Sequence, residues 1–247
     1  MEQNENMSSW VNILENQVPR KSSVLLEGRY DFISLKRSVI RILTDSLIRS
    51  VFPTLEGDVY DLGGAPKTAE NYRKLVRGRY IVTNIKPPYD QFADMLNLPF
   101  LNDSVDNLIS LYSLEHVPDP YRACQEMYRV LRVGGRLVLI APFLLRHHAR
   151  PDYYRFSPEG LNLLFDCFKE KQMYYVGGIL DNMAHSFWPY RGISNRLISN
   201  IFYHYELGIS LWNKQPCTIR WDALKTQNRD EVNACSILIL AEKTVNS

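Results

Sequence analysis

Between Asp58 and Cys167 the apolar pattern switches repeatedly between two periods, and this alternation limits what the chain can fold into more than any other feature. Asp58–Leu62 has the pattern of a short strand, closed by a turn at Gly63-Gly64. Pro66 and Thr68 suit a helix start, Ala69, Tyr72, Leu75 and Val76 give that helix an apolar face, and Gly78 suits its end. Tyr80–Ile85 and Val105–Leu111 are further strands. Asp119-Pro120 is a helix-start signal, and Tyr121, Cys124, Met127, Tyr128 and Leu131 keep helical spacing up to Gly134-Gly135. Arg136–Ala141 is an apolar run of the kind found at the centre of a parallel sheet. Ser157-Pro158 caps a helix to about Cys167, and Tyr174–Gly177 and Ala234–Ala241 add strands. Strands alternating with helices predict an α/β fold, a parallel sheet covered on both faces. Such sheets take ligands beyond the carboxyl ends of their strands, so the loops after strands carry the function.

The rest of the chain is read around that unit. Residues 1–50 are expected to form an N-terminal helical cap, because Ile33, Ile40, Leu43, Leu47, Ile48 and Val51 fall near helical spacing between Tyr30 and Val51. Lys36, Arg37, Arg41 and Arg49 form the solvated face of that helix. Residues 51–247 form the main domain, and 181–232 is a long connection before the last strand, the expected lid. Its aromatic residues Phe187, Trp188, Tyr190, Phe202, Tyr203, Tyr205 and Trp212 serve either as core or as the wall of an acceptor pocket. A net charge of +2 argues against a dedicated nucleic-acid binder. Cys124, Cys167, Cys217 and Cys235 include no C-x-x-C pair, which argues against a zinc or redox motif. Met1–Trp10 lacks the apolar core of a signal peptide, and no apolar run is long enough to span a membrane. A soluble, cytoplasmic protein is expected.

Three loops attract attention on their residues alone. Asp61-Leu62-Gly63-Gly64-Ala65-Pro66 lets a ligand approach the backbone, and serves equally as a tight strand-to-helix turn. It is not a dinucleotide fingerprint, since Ala65 and Thr68 stand where G-x-G-x-x-G needs glycine, and this disfavours an oxidoreductase. Asn84 ends the next strand, where a nucleotide-binding unit places an acid for the ribose; it also reads as a turn residue before Pro87-Pro88. Asp94 and Met95 follow, an acid able to accept from the adenine amine or an ordinary loop carboxylate.

With the segments that follow, these loops resemble the class I S-adenosylmethionine-dependent methyltransferases. Leu98-Pro99-Phe100-Leu101-Asn102-Asp103-Ser104-Val105-Asp106 resembles that family's phrase before the fourth strand, and Leu114-Glu115-His116-Val117-Pro118-Asp119-Pro120 its segment after it. Glu126, Arg129, Val130, Leu131 and Gly134-Gly135 match the helix and turn before the fifth strand. The run from His148 to Leu161, HARPDYYRFSPEGL, is similar to that of a type 11-like subgroup often found beside enzymes of glycan assembly. The resemblance implies a Rossmann-like, mostly parallel seven-stranded sheet with helices on both faces, carrying the N-terminal helical cap and a helical insertion before the last strand. It implies S-adenosyl-L-methionine as cofactor, with Asp61, Gly63, Gly64 and Ala65 under its methionine part and Asn84 at the ribose. Asp94 and Met95 would flank the adenine, and Tyr112 and Ser113 would lie beside the sulfonium.

The implied activity is methyl transfer to a small-molecule acceptor, with a sugar or phenolic hydroxyl preferred. Alignment of the reactants supplies most of the rate, and a base adds to it. Candidate catalytic residues are His148, His116, Asp152 and Tyr153, with His147 also nearby; His148 serves otherwise to pack its own loop. Glu115 and His116 could ligate a metal, but Tyr112 stands where a third ligand is wanted, so no metal is expected. The sequence is also compatible with a homodimer. Departures from the family at Ala65, Lys67 and Asn84 leave open an alternative, an inactive methyltransferase-fold subunit with a binding or regulatory role. Restoring charge at the ribose position by Asn84→Asp is expected to tighten cofactor binding.

Overall fold

The computed structural model describes residues 10–14, 21, 38–187, 193–213, 218–220 and 234–245. Helix α1 spans Val39–Val51, with Ser38 as its N-cap accepting from the Arg41 amide at 3.3 Å. Then follow β1 (Val59–Leu62), α2 (Pro66–Tyr72), β2 (Tyr80–Asn84), β3 (Gln91–Phe92), β4 (Val105–Leu111), α3 (Pro120–Val130) and β5 (Leu131–Pro142). The chain continues through α4 (Pro158–Leu164), β6 (Glu170–Val176), α5 (Ile179–Phe187), α6 (Ile193–Asn213), β7 (Thr218–Arg220) and β8 (Ser236–Glu242).

One sheet contains all the strands of the described residues, in the order β3-β2-β1-β4-β5-β8-β6-β7. Strands β1 to β5 pair in parallel, whereas β8 runs antiparallel to both β5 and β6, and β7 antiparallel to β6. This is the expected Rossmann-like α/β sheet. Among the described residues it has eight strands, one more than expected, because the three-residue β7 adds an edge beyond β6. Successive side chains of a strand face opposite layers, and both layers are filled. Ile109, Val138, Ile140, Leu238 and Leu240 pack on one face with Leu43, Leu47, Ile48 and Val51 of α1. Leu108, Leu137, Leu139, Ile237 and Ile239 pack on the other with Ala123, Cys124, Met127 and Val130 of α3.

Several boundaries differ from the sequence reading for local reasons. Helix α2 ends at Tyr72, so Leu75 and Val76 lie in the turn that follows. Helix α3 ends at Val130, ahead of Gly134-Gly135, because Leu131 already pairs with Val105 in β4. β5 therefore begins before the glycine turn, with a register shift between Val105 and Asn107. β6 begins at Glu170 rather than Tyr174; its polar first half hides it from a hydrophobic pattern, yet every residue has a partner in β8. The part of the expected N-terminal helix before Ser38 lies outside the described residues.

The long connection has structure of its own, α5 packed on α6, followed by β7. Tyr203 is buried and Phe187 stacks on Phe202 with centroids 6.0 Å apart, so these belong to core. Tyr205 and Trp212 are exposed, and Trp188 and Tyr190 lie outside the described residues. Lys21 is buried between Asp181 of α5 and Glu206 of α6 and ion-pairs with both. Trp10 donates to Thr54 Oγ1 at 2.9 Å and lies under the Arg136 guanidinium.

Candidate functional site

The carboxyl ends of β1, β2, β3 and β4 bring three of the loops singled out in the sequence together. Gly63 has φ +77, a backbone conformation costly for any residue with a Cβ. A Cβ there would fall 2.7 Å from Ser113 Cβ and 3.3 Å from Met95 Cε. The loops after β1, β3 and β4 therefore meet around a position that only glycine fills. A Cβ on Gly64 would collide with the Asp61 carboxylate. Asp61 is buried and accepts from the Tyr80 hydroxyl at 2.8 Å. Burial pushes its carboxyl up to about 6, against the opposing pull of that hydrogen bond and of Arg41. Asp61 thus shapes the loop from beneath.

Asn84 is engaged within the protein. Its Nδ2 donates to the Gly64 carbonyl at 3.0 Å, and its Oδ1 accepts from the Ile85 and Lys86 amides at 2.8 and 3.2 Å. Asp94 Oδ1 accepts from the Leu96 amide at 2.9 Å, fixing the turn that carries buried Met95. Tyr112 has φ +54, in the left-handed region a tyrosine rarely adopts, and this swings the chain out of β4. Its hydroxyl lies 3.0 Å from both Thr44 Oγ1 and Ser236 Oγ, and burial pushes it up to about 12. Ser113 Oγ donates to the Leu111 carbonyl at 3.3 Å. Sequence reasoning missed Thr44 and Ser236, since nothing local ties them to Tyr112.

A second group of side chains lies beside this floor, on the 3-10 turn Leu114–His116 after β4 and on the loop after β5. Glu115 is fully buried, and among the described residues neither carboxylate oxygen meets a hydrogen-bond donor. Its own backbone N–H gives some compensation from outside hydrogen-bond geometry, but desolvation dominates and pushes the carboxyl up to about 7. His148 Nε2 lies 3.6 Å and His116 Nε2 3.9 Å from Glu115 Oε1. The other nitrogen of each ring is also engaged: His116 Nδ1 is 2.6 Å from the Pro151 carbonyl, and His148 Nδ1 is 3.5 Å from both Asp152 Oδ2 and Arg155 Nη2. Burial holds the His148 imidazole below its ordinary value.

Asp152 supports this group from behind. It accepts from Arg155 at 2.6 and 2.7 Å and from the His148 amide at 3.0 Å, and the Arg155 hydrogen bonds hold its carboxyl well below the usual range. Arg155 also donates to the Leu145, Arg146 and Tyr154 carbonyls, so one guanidinium organises the whole loop. Tyr153 donates its amide to the Glu115 carbonyl at 2.8 Å and leaves its ring exposed. His147 is exposed and stands outside the cluster. Where the sequence suggested Tyr112 as the third neighbour of Glu115 and His116, the structure places His148.

Residues 53–139 match the family described as a methyltransferase domain. The chain is similar to the 2-methyl-6-phytyl-1,4-hydroquinone methyltransferase of Arabidopsis thaliana, 47% identical over 50 residues, 20% of this chain and 15% of that protein. It is similar to the ubiquinone/menaquinone biosynthesis C-methyltransferase of Haemophilus ducreyi, 30% identical over 115 residues, 47% of this chain and 39% of that protein. The chain thus spans well under half the length of these curated relatives. Among solved structures it resembles an S-adenosylmethionine-dependent methyltransferase from Archaeoglobus fulgidus, with a TM-score of 0.53 at 13% identity over 82% of this chain and 94% of that one. Residues 53–139 thus match a methyltransferase domain, and the fold is that of a solved S-adenosylmethionine-dependent methyltransferase. The strand-end floor suits that cofactor: Gly63 and Gly64 project no side chain, Met95 offers an apolar contact, and Asp94 and Ser113 offer polar groups at its border. Among the described residues no helix is long and apolar enough to cross a membrane.

Proposed function

We propose that the protein transfers a methyl group from S-adenosylmethionine to a hydroxyl oxygen of a small molecule, a phenol or a sugar. The meeting of Gly63, Met95 and Ser113 at the strand ends carries this reading, because it joins the loops after three parallel strands at the place where such sheets take their ligands. The cofactor supplies an activated methyl on sulfur, and the chain's part is to align, to exclude water and to manage one proton. Asp61, Gly63, Gly64 and Ala65 form the floor, Asp94 and Met95 the nucleoside end, and Tyr112 and Ser113 the side toward the acceptor. His148, neutral at pH 7, takes the hydroxyl proton as the oxygen–methyl bond forms and the sulfur–methyl bond breaks. Asp152 orients His148, the His116 ring packs edge-on against His148, and Tyr153 keeps its ring exposed nearby.

Calorimetric titration with S-adenosylhomocysteine tests the cofactor half of the proposal, and labelled methyl transfer to a panel of phenols and sugars tests the acceptor half. Micromolar binding is expected; no binding at millimolar ligand would overturn the reading. The engagement of Asn84 with Gly64 favours a second reading, a subunit that keeps the fold and regulates a partner without turnover. That reading requires cofactor binding to be absent or to proceed without transfer to any acceptor.

A further inference from the structure

We propose that Glu115, His116 and His148 form a binding site for one divalent transition-metal ion, of which zinc or manganese are representative, beside the proposed methyl-acceptor position. The site rests on the same reading of the strand-end crevice and adds a ligand to it.

Each residue offers one donor atom, and the three atoms lie within 4.8 Å of one another. The two measured edges, 3.6 and 3.9 Å from Glu115 Oε1 to the histidine Nε2 atoms, are close to what a metal requires. Bonds of ~2.0–2.2 Å in a tetrahedral site put neighbouring donors about 3.4 Å apart. Closing the cluster on an ion takes a shift of a few tenths of an ångström along the two edges to Glu115, and brings the two histidine nitrogens, within 4.8 Å of each other, closer together.

Tautomers support the same assignment. A histidine ligand commonly donates its second ring N–H to a carbonyl or carboxylate, which leaves the other nitrogen free to bind the ion. His116 does this with the Pro151 carbonyl, whereas His148 Nδ1 lies 3.5 Å from both Asp152 Oδ2 and the Arg155 guanidinium. The His116 Nε2 lone pair then faces Glu115, a fully buried carboxylate with two unsatisfied oxygens. Without a cation the buried Glu115 carboxylate has no hydrogen-bond partner among the described residues, and buried groups of this kind normally have one. Two imidazoles and a carboxylate are an N2O donor set, which suits zinc, manganese or iron better than magnesium or calcium.

The site is open on one side. Glu115 lies at the bottom, whereas His116 and His148 keep 26% and 31% of their side-chain surface accessible. Three protein ligands leave at least one coordination position, on the side reached from solvent. Glu115 follows Ser113 by two residues, so that position adjoins the acceptor end of the crevice. The acceptor class that fits is a hydroxyl whose oxygen coordinates the ion, above all a phenol or a vicinal diol that can chelate. An ion held here would stabilise the deprotonated oxygen, with the proton leaving to solvent, so that His148 acts as the base only while the metal position is empty.

The test uses the tag-free full chain, stripped with chelator and dialysed. Titration with Co²⁺, as a spectroscopic probe, and with Zn²⁺ by calorimetry is expected to give one site per chain. Its visible spectrum should be that of nitrogen and oxygen ligation, without a thiolate charge-transfer band. Affinity should fall at least 100-fold in His148→Ala and in the near-isosteric Glu115→Gln, and stay within threefold in His147→Ala. Zn²⁺ should raise the melting temperature of the wild type and not of His148→Ala, which covers the case where Glu115→Gln folds poorly. No binding up to millimolar metal, a thiolate band, or equal affinity in all variants would overturn the site. S-adenosylhomocysteine binding is measured in parallel on the stripped chain. Loss of that binding with the metal site intact overturns the methyltransferase reading alone, and the converse overturns the metal site alone.

Discussion

The hydroxyl of Tyr112 lies 3.0 Å from Ser236 Oγ, so the residue that leaves β4 in a left-handed conformation is tied to the first residue of β8. Thr44 of α1 completes the contact from the opposite side. Replacing Tyr112 by Phe removes both hydrogen bonds and leaves two hydroxyls without this partner. The expected loss is about 1–3 kcal/mol in chemical denaturation. The same variant should weaken S-adenosylhomocysteine binding several-fold, since the backbone at 112–113 is then held less firmly.

Gly63→Ala meets two obstacles, a φ of +77 and a Cβ 2.7 Å from Ser113 Cβ. We expect a destabilisation of about 1–3 kcal/mol and loss of cofactor binding by calorimetry. Pairing it with Ser113→Gly should recover part of the stability, because the collision is relieved while the conformational cost remains.

Asp61 makes stability depend on pH. Its carboxyl titrates near 6 in the folded protein against 3.8 for the ordinary group, so the folded state binds the proton more tightly. The corresponding stability is fully present below about pH 4 and is lost as pH rises through 6. Denaturation at pH 4.5 and 7.5 should show Asp61→Asn gaining on the wild type at the higher pH, by roughly 2 kcal/mol. A constant difference between the two proteins would place the titration elsewhere.

Lys21 is the cation in a buried group with two carboxylates. Lys21→Met leaves Asp181 and Glu206 facing each other without it. The expected cost is about 3–5 kcal/mol, or uptake of a proton by the pair, seen as stability restored in acid. Asp181, already shifted upward by burial, is the group that takes the proton.

Charge alone suggests that Asn84→Asp tightens cofactor binding, but the structure reverses the expectation. The carboxylate would lose the donor that Asn84 gives to the Gly64 carbonyl and would set two acceptors 3.0 Å apart. Calorimetry should show weaker S-adenosylhomocysteine binding in the variant, by about tenfold for a lost buried hydrogen bond.

Features set by local signals were legible in the sequence. Val105–Leu111 was read to the residue and the start of α3 at Pro120 followed from Asp119, whose side chain accepts from the Arg122 amide. The loops at Gly63, Asp94 and Ser113 were marked as candidates, and the structure brings Gly63, Met95 and Ser113 together. What escaped was set by distant partners. Gln91–Phe92 and Thr218–Arg220 are too short to show a period, and β6 starts in polar residues whose extended conformation comes from β8. The facing of Glu115 by His148 depends on the Arg155–Asp152 pair that folds the intervening loop, and no spacing rule reports such a bend.

β8 lies between β5 and β6, although both precede it in the chain. Until Ser236–Glu242 insert, β5 and β6 each present a bare edge of amides and carbonyls, and the Tyr112 hydroxyl lacks one of its two anchors. Unpaired edges of this kind recruit strands from other molecules, and pairings distant in sequence form slowly. The final seam of the sheet is therefore where misassembly would begin, and where a folding chaperone would find its most useful grip.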